Sequence, residues 1–139
     1  MSIRTIVDTG PLVAFFSKGD SHHDWAVEQF ASLTPPLFTC EPVITEVCFL
    51  LAGTGVGPNH ALEAVARGGL KVDFPLAAEI DPIRRLMARY RDAGISLADA
   101  CLVRMSEIHS RCQVMTVDRD FLIYRRDGRR TIPLIAPFG

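Results

Sequence analysis

Arg4-Thr5-Ile6-Val7-Asp8-Thr9-Gly10-Pro11-Leu12-Val13-Ala14-Phe15-Phe16 is the stretch that decides the fold. Thr5, Ile6 and Val7 are β-branched and suit a short pleated strand. Thr9-Gly10-Pro11 breaks that strand, with Thr9 able to cap a helix and Pro11 fitting its first turn, where a missing N–H costs nothing. The apolar run from Leu12 then predicts a helix. Asp8 stands at the carboxyl end of the strand, the place where open α/β sheets gather their chemistry. It reads equally as a helix cap, and only other acids placed to join it can separate the two roles.

The opening theme returns near the other end of the chain. Gln113-Val114-Met115-Thr116-Val117-Asp118 is again a β-branched, apolar strand that ends on an acid, followed by a short helix through Phe121, Leu122 and Tyr124. Between the two lie a helix around Trp25, Ala26 and Phe30 capped by Asp20 or Ser21, and a strand at Leu37–Cys40. A helix then starts at Glu41-Pro42, a shorter one spans 59–67, and a strand covers Leu70–Phe74. An amphipathic helix over Ile80–Tyr90 carries its apolar stripe on Ile80, Ile83, Leu86, Met87 and Tyr90. The helix after Ser96 has Asp99 three residues on, a capping-box spacing in which an acid also suits the positive helix end. Arg125 to Arg130 forms a basic turn, and Thr131–Ile135 a last strand whose Pro133 favours a sheet edge. This alternation predicts one domain over residues 1–139, an α/β, three-layer α/β/α sandwich with a mainly parallel central sheet.

Bulk properties narrow the class. The 139 residues are 48% hydrophobic and 22% charged, enough apolar material for a core. No apolar run is long enough to cross a bilayer, and the N-terminus lacks a signal-peptide pattern, so a cytoplasmic location is expected. Cys40, Cys48, Cys101 and Cys112 form no C-x-x-C pair and read as reduced thiols; the four histidines lack metal-ligand spacing. Net charge is −1 overall, but residues 1–83 carry −6 and residues 84–139 carry +5, the latter with eleven arginines and no lysine. Arginine suits phosphate and carboxylate, although such runs commonly form a solvated surface. The glycine-rich segment 53–58 lacks the lysine and serine of a phosphate-binding loop.

In a parallel sheet the carboxyl ends of the strands share one edge, which brings Asp8 and Asp118 together. Asp99 and Glu46, near the starts of helices that follow loops, can join them. Four carboxylates in one place raise one another's pKa and call for a cation. An all-oxygen set suits Mg²⁺ or Mn²⁺, which can activate water and stabilise a phosphoryl transition state.

Ile6-Val7-Asp8-Thr9, the helical Glu46, Leu97-Ala98-Asp99-Ala100 and Thr116-Val117-Asp118-Arg119-Asp120-Phe121 together resemble the ordered acidic motifs of PIN-domain ribonucleases, and the length resembles the VapC-like toxins of toxin–antitoxin pairs. The resemblance implies that Asp8, Glu46, Asp99 and Asp118 are catalytic, metal-binding acids. Thr116, Thr9 and Asp120 would support them. It further implies Mg²⁺ or Mn²⁺ as cofactor, RNA as substrate, an antitoxin protein as partner and a homodimer. Arg119, Arg125 and Arg126 are expected to hold RNA phosphates. Glu41 departs from the family pattern, where a small hydroxyl residue commonly caps the helix. Two other readings stand beside this one: a PIN-like protein that grips RNA or an antitoxin without cutting, and an aspartate-based phosphohydrolase. Against the last, Asp8-Thr9-Gly10 lacks a second acid two residues on, and no lysine follows Lys71.

Overall fold

The computed structural model describes residues 3–138. Its centre is β1 (Arg4–Val7), with Ile6 and Val7 fully buried. On one side β1 pairs with β2 (Leu37–Thr39), which pairs with β3 (Leu70–Val72). On the other it pairs with β4 (Cys112–Met115), which pairs with β7 (Leu134–Ile135). All four pairings are parallel, giving a five-stranded sheet in the order β3-β2-β1-β4-β7. Helices flank it as the expected α/β/α sandwich.

The helices are α1 (Thr9–Phe16), α2 (His23–Ala31), α3 (Glu41–Ala52), α4 (Asn59–Ala66), α5 (Ile80–Arg89) and α6 (Leu97–Ile108). α1 packs against α2, α3 and α4; α5 packs on α6, which lies against β1 and β4. α6 is buried along most of its length because it crosses the sheet, and only Arg104, Glu107 and its ends reach outward. α5 keeps the amphipathic form its spacing predicts: Ile83 and Leu86 face inward and Arg84, Arg85 and Arg89 outward, while Ile80, assigned to the apolar stripe, is exposed.

The chain leaves β1 toward β2 and later returns to the opposite side of β1 as β4. That reversal is the topological switch point, and the crevice outside the carboxyl ends of β1 and β4 is where such sheets bind ligands. The register pairs Val7 with Met115, so Asp8 and Thr116 emerge side by side.

Some local expectations change. Asp8, rather than Thr9, is the N-cap of α1; its Oδ1 accepts the Thr9 N–H at 2.7 Å. The cap of α2 is His22 without a side-chain bond, because the Asp20 carboxylate accepts the His22 N–H one position too early to serve. The third strand ends at Val72, and Phe74 folds into the core instead. The basic turn is a hairpin of β5 (Arg125–Arg126) and β6 (Arg130–Thr131), and Asp127 and Gly128 both take positive φ at its tip, in a tight turn closed by the Arg129 N–H donating to the Arg126 carbonyl at 3.1 Å. Thr131 therefore belongs to the hairpin, and the edge strand is confined to Leu134–Ile135. All four cysteines are free thiols; Cys48 is only half-buried. No helix among the described residues is long and apolar enough to cross a membrane.

Candidate active site

Asp8 is 5% exposed, and both its oxygens are engaged. Oδ1 accepts the Thr9 N–H, and Oδ2 accepts the Thr116 hydroxyl at 2.7 Å. Thr116 is fully buried, and the same hydroxyl oxygen accepts the Asp118 N–H at 3.0 Å. One side chain at the end of β4 thus sets the Asp8 carboxylate and the backbone at Asp118. Asp118 in turn caps the 3₁₀ turn Arg119–Leu122, its Oδ1 accepting the Asp120 N–H at 2.9 Å.

The two acid-bearing loops also touch directly. A Cβ on Gly10 would stand 2.3 Å from Cγ2 of Val117, so only glycine lets the start of α1 lie this close to the Thr116–Asp118 loop.

Glu46 sits half-buried in the second turn of α3, and its Oε1 accepts the Thr9 hydroxyl at 2.6 Å. Asp99 is in the first turn of α6, 9% exposed. Ser96 caps this helix as its spacing predicts, its Oγ accepting the Asp99 N–H at 3.0 Å. The Asp99 carboxylate turns elsewhere: its Oδ2 accepts the Tyr124 hydroxyl at 3.0 Å. Burial first, then the Asp99 charge, pushes the Tyr124 phenol up, so it keeps its proton and acts as donor.

The four acids lie within electrostatic reach of one another. Burial, reinforced by the charges of Asp118 and Glu46, pushes the Asp8 carboxyl up to about 6, against the lowering effect of its two hydrogen bonds. Burial and then the Asp8 charge, with Asp118 and Glu46 behind it, push Asp99 up to about 7. Among the described residues, none of the four forms an ion pair with a basic side chain. Nor do any three Asp, Glu, His or Cys side chains close into a ligand shell. The donor set is nevertheless oxygen-only, strongly anionic and oriented by fixed hydrogen bonds, and those properties fit a hard divalent cation.

The chain can be compared with known proteins on this geometry. The family profile described as PIN domain matches residues 5–127, from the middle of β1 to the tip of the β5–β6 hairpin. This chain belongs to the PIN-domain family. Within the family it is VapC-like: ribonuclease VapC26 of Mycobacterium tuberculosis is 30% identical over 117 residues, covering 82% of this chain and 86% of the relative. The crystal structure of VapC20 from the same organism, described as a sarcin–ricin loop cleaving toxin, superposes with a TM-score of 0.71. It covers 84% of this chain and 91% of that one at 21% identity, a likeness of fold.

The remaining expected site residues of this PIN domain fall in different places. Asp120 is half-buried at the start of the 3₁₀ turn; its charge bears on Tyr124 rather than on Asp8 or Asp99. Glu41 is exposed in the first turn of α3, and Cys40 before it provides no side-chain cap. Arg119 is exposed, with its guanidinium 5.0 Å from the Phe138 ring centroid. Arg125 donates to the carbonyls of Leu122, Ile123 and Tyr124. Arg126 is not available to RNA: it is 5% exposed, and its guanidinium donates to the carbonyls of Ser106, His109 and Ser110 where α6 ends. A helix end leaves carbonyls without partners, and a buried arginine satisfies several at once.

The sequence alone does not mark Tyr124 or the Thr9–Glu46 bond as parts of the site. A buried tyrosine must place its hydroxyl, so an aromatic with a hydroxyl three residues after the Asp118–Phe121 motif is the signal that points to Tyr124.

Proposed function

We propose that this protein is a metal-dependent endoribonuclease acting through Asp8, Glu46, Asp99 and Asp118, and the toxin of a toxin–antitoxin pair. The observation that carries the reading is a cluster of four mutually repelling carboxylates, at the switch point of a PIN fold, that receives hydroxyl and amide donors but, among the described residues, no basic partner. Membership of the PIN-domain family and the likeness to ribonuclease VapC26 and to the toxin VapC20 support it.

Asp8, Glu46, Asp99 and Asp118 would hold Mg²⁺ or Mn²⁺. When bound, the ion supplies positive charge to the scissile phosphate and makes water a better nucleophile at neutral pH. Thr116 fixes the Asp8 carboxylate and Thr9 fixes Glu46, so these acids are aimed before substrate arrives. A carboxylate of the cluster not engaged by the ion can accept the proton released as water attacks phosphorus. Arg119, exposed and next in sequence to Asp118, would meet a phosphate of the bound strand.

Protein partners are expected at the adjoining apolar surface. Phe49 and Leu50 are exposed on α3 just beyond Glu46, at 78% and 46%, and the neighbouring cleft holds Phe74, Pro75 and Leu97. An antitoxin segment laid there could place a cationic side chain among the acids. A homodimer is part of the same proposal, checked by sedimentation of the purified protein.

The decisive experiment is cleavage of a mixed RNA substrate by protein freed of any partner, with Mn²⁺, with Mg²⁺ and with chelator. Cleavage should require the ion and fall at least about 100-fold in Asp8→Asn and Asp99→Asn, because electrostatic groups of this kind are each worth that much. Undiminished cleavage by both variants would sink the four-acid reading. Tight RNA binding without cleavage would favour the silent PIN-like binder.

A further inference from the structure

We propose that Tyr124 is a positioning residue for the metal site: its hydroxyl takes Oδ2 of Asp99 and leaves Oδ1 as the oxygen that meets the cation. The inference rests on the four-acid reading above.

Three observations carry it. First, the Tyr124 bond is the only hydrogen bond the Asp99 carboxylate makes among the described residues. A carboxylate in the first turn of a helix ordinarily returns to the backbone at the cap. Here the Ser96 hydroxyl alone completes the cap, and the Asp99 side chain is drawn away from it. Second, the hydroxyl cannot wander. Tyr124 is fully buried, with its ring edge-to-face against Tyr90 and Phe121, each at 5.1 Å between centroids. The Tyr90 hydroxyl accepts the Arg125 N–H at 2.9 Å, fixing the chain immediately after Tyr124. Third, the arrangement repeats a pattern already present in the site. Thr116 serves Asp8 and Thr9 serves Glu46 in the same way, one hydroxyl donor to one carboxylate. Orienting partners of this type commonly set metal affinity by 10- to 100-fold.

Tyr124→Phe keeps the ring and its packing and removes only the donor. Mn²⁺ binding, followed by calorimetry on the full chain without RNA, should weaken by about tenfold or more. Ser106→Ala removes a buried hydroxyl from the helix that carries Asp99, one that donates to the Val103 carbonyl at 2.6 Å, and should bind Mn²⁺ as the parent protein does. Asp99→Asn reports on the four-acid reading independently. If Asp99→Asn loses Mn²⁺ while Tyr124→Phe retains the parent affinity, the role of Tyr124 is overturned and the four-acid reading stands. If Ser106→Ala weakens binding as much as Tyr124→Phe, the effect is a general loosening of the helix and the proposal fails. If the parent protein and Asp99→Asn bind Mn²⁺ equally, or neither binds it, the four-acid reading falls and this inference falls with it.

Discussion

Carboxylates are treated in two opposite ways in this molecule. Away from the switch point they are matched with arginine: Arg4 with Asp73 at 3.3 Å, Arg104 with Glu79 at 2.7 Å and Glu107 at 3.3 Å, and Arg130 with Asp127. At the switch point Asp8, Glu46 and Asp99 receive hydroxyls, and Asp118 a backbone amide. Hydroxyls and amides orient a carboxylate and satisfy its lone pairs without cancelling its charge. On the proposed function, the difference separates charge that stabilises the fold from charge held back for a ligand. Arginine is abundant in the second half of the chain, so the exclusion is not a matter of supply.

The contrast can be broken from the structural side first. Arg126 belongs to the fold, not to RNA, so Arg126→Met should unfold more easily by about 3 kcal/mol, the cost of stranding several buried carbonyls. Denaturant titration measures that loss. RNA affinity of the folded variant should be unchanged, and a selective loss of RNA binding at constant stability would return Arg126 to the nucleic-acid surface.

The next effect is electrostatic and runs with pH. Asp8 and Asp99 bind protons more tightly folded, at about 6 and about 7, than unfolded, near 3.8. The folded state is thus favoured most below pH 4, as far as these two groups are concerned. That contribution is lost as pH rises through 6 and 7. Metal-free protein should show a falling Tm from pH 5 to pH 8, and Mn²⁺ at pH 8 should restore it. A Tm insensitive to Mn²⁺ over that range would show that the acids are not held for a cation.

The smallest effect tests the matched acids. Arg4→Gln removes an ion pair whose partners are both partly exposed, and should cost under about 1 kcal/mol with no change in Mn²⁺ affinity.

The parts of this design legible in the sequence are those governed by neighbours in the chain. β-branched runs ending at Asp8 and Asp118, the Ser96 cap, Pro42 in the first turn of α3 and the amphipathic α5 all follow from local rules. The hidden parts depend on residues far apart. Arg126 looks like its neighbours in a basic turn, and only folding shows the carbonyls of Ser106, His109 and Ser110 waiting for it. The Asp127-Gly128 hairpin is masked because arginines, rather than alternating apolar residues, flank the turn. Asp8 was ambiguous between cap and ligand for a physical reason: one oxygen accepts the Thr9 N–H while the carboxylate still faces the other acids.

The pairing of β1 with β4 also bears on when the protein can act. Thr116 and Asp8, joined by a hydrogen bond, are 108 residues apart in the chain. Asp8 leaves the ribosome well before the strand that completes its surroundings. A partly synthesised chain holds a lone strand end and no acid cluster, and contacts of such long range form late and slowly. On the proposed function, the lag between synthesis and the first competent nuclease is built into the order of the strands, leaving an interval in which a partner already present can meet the chain before it cuts.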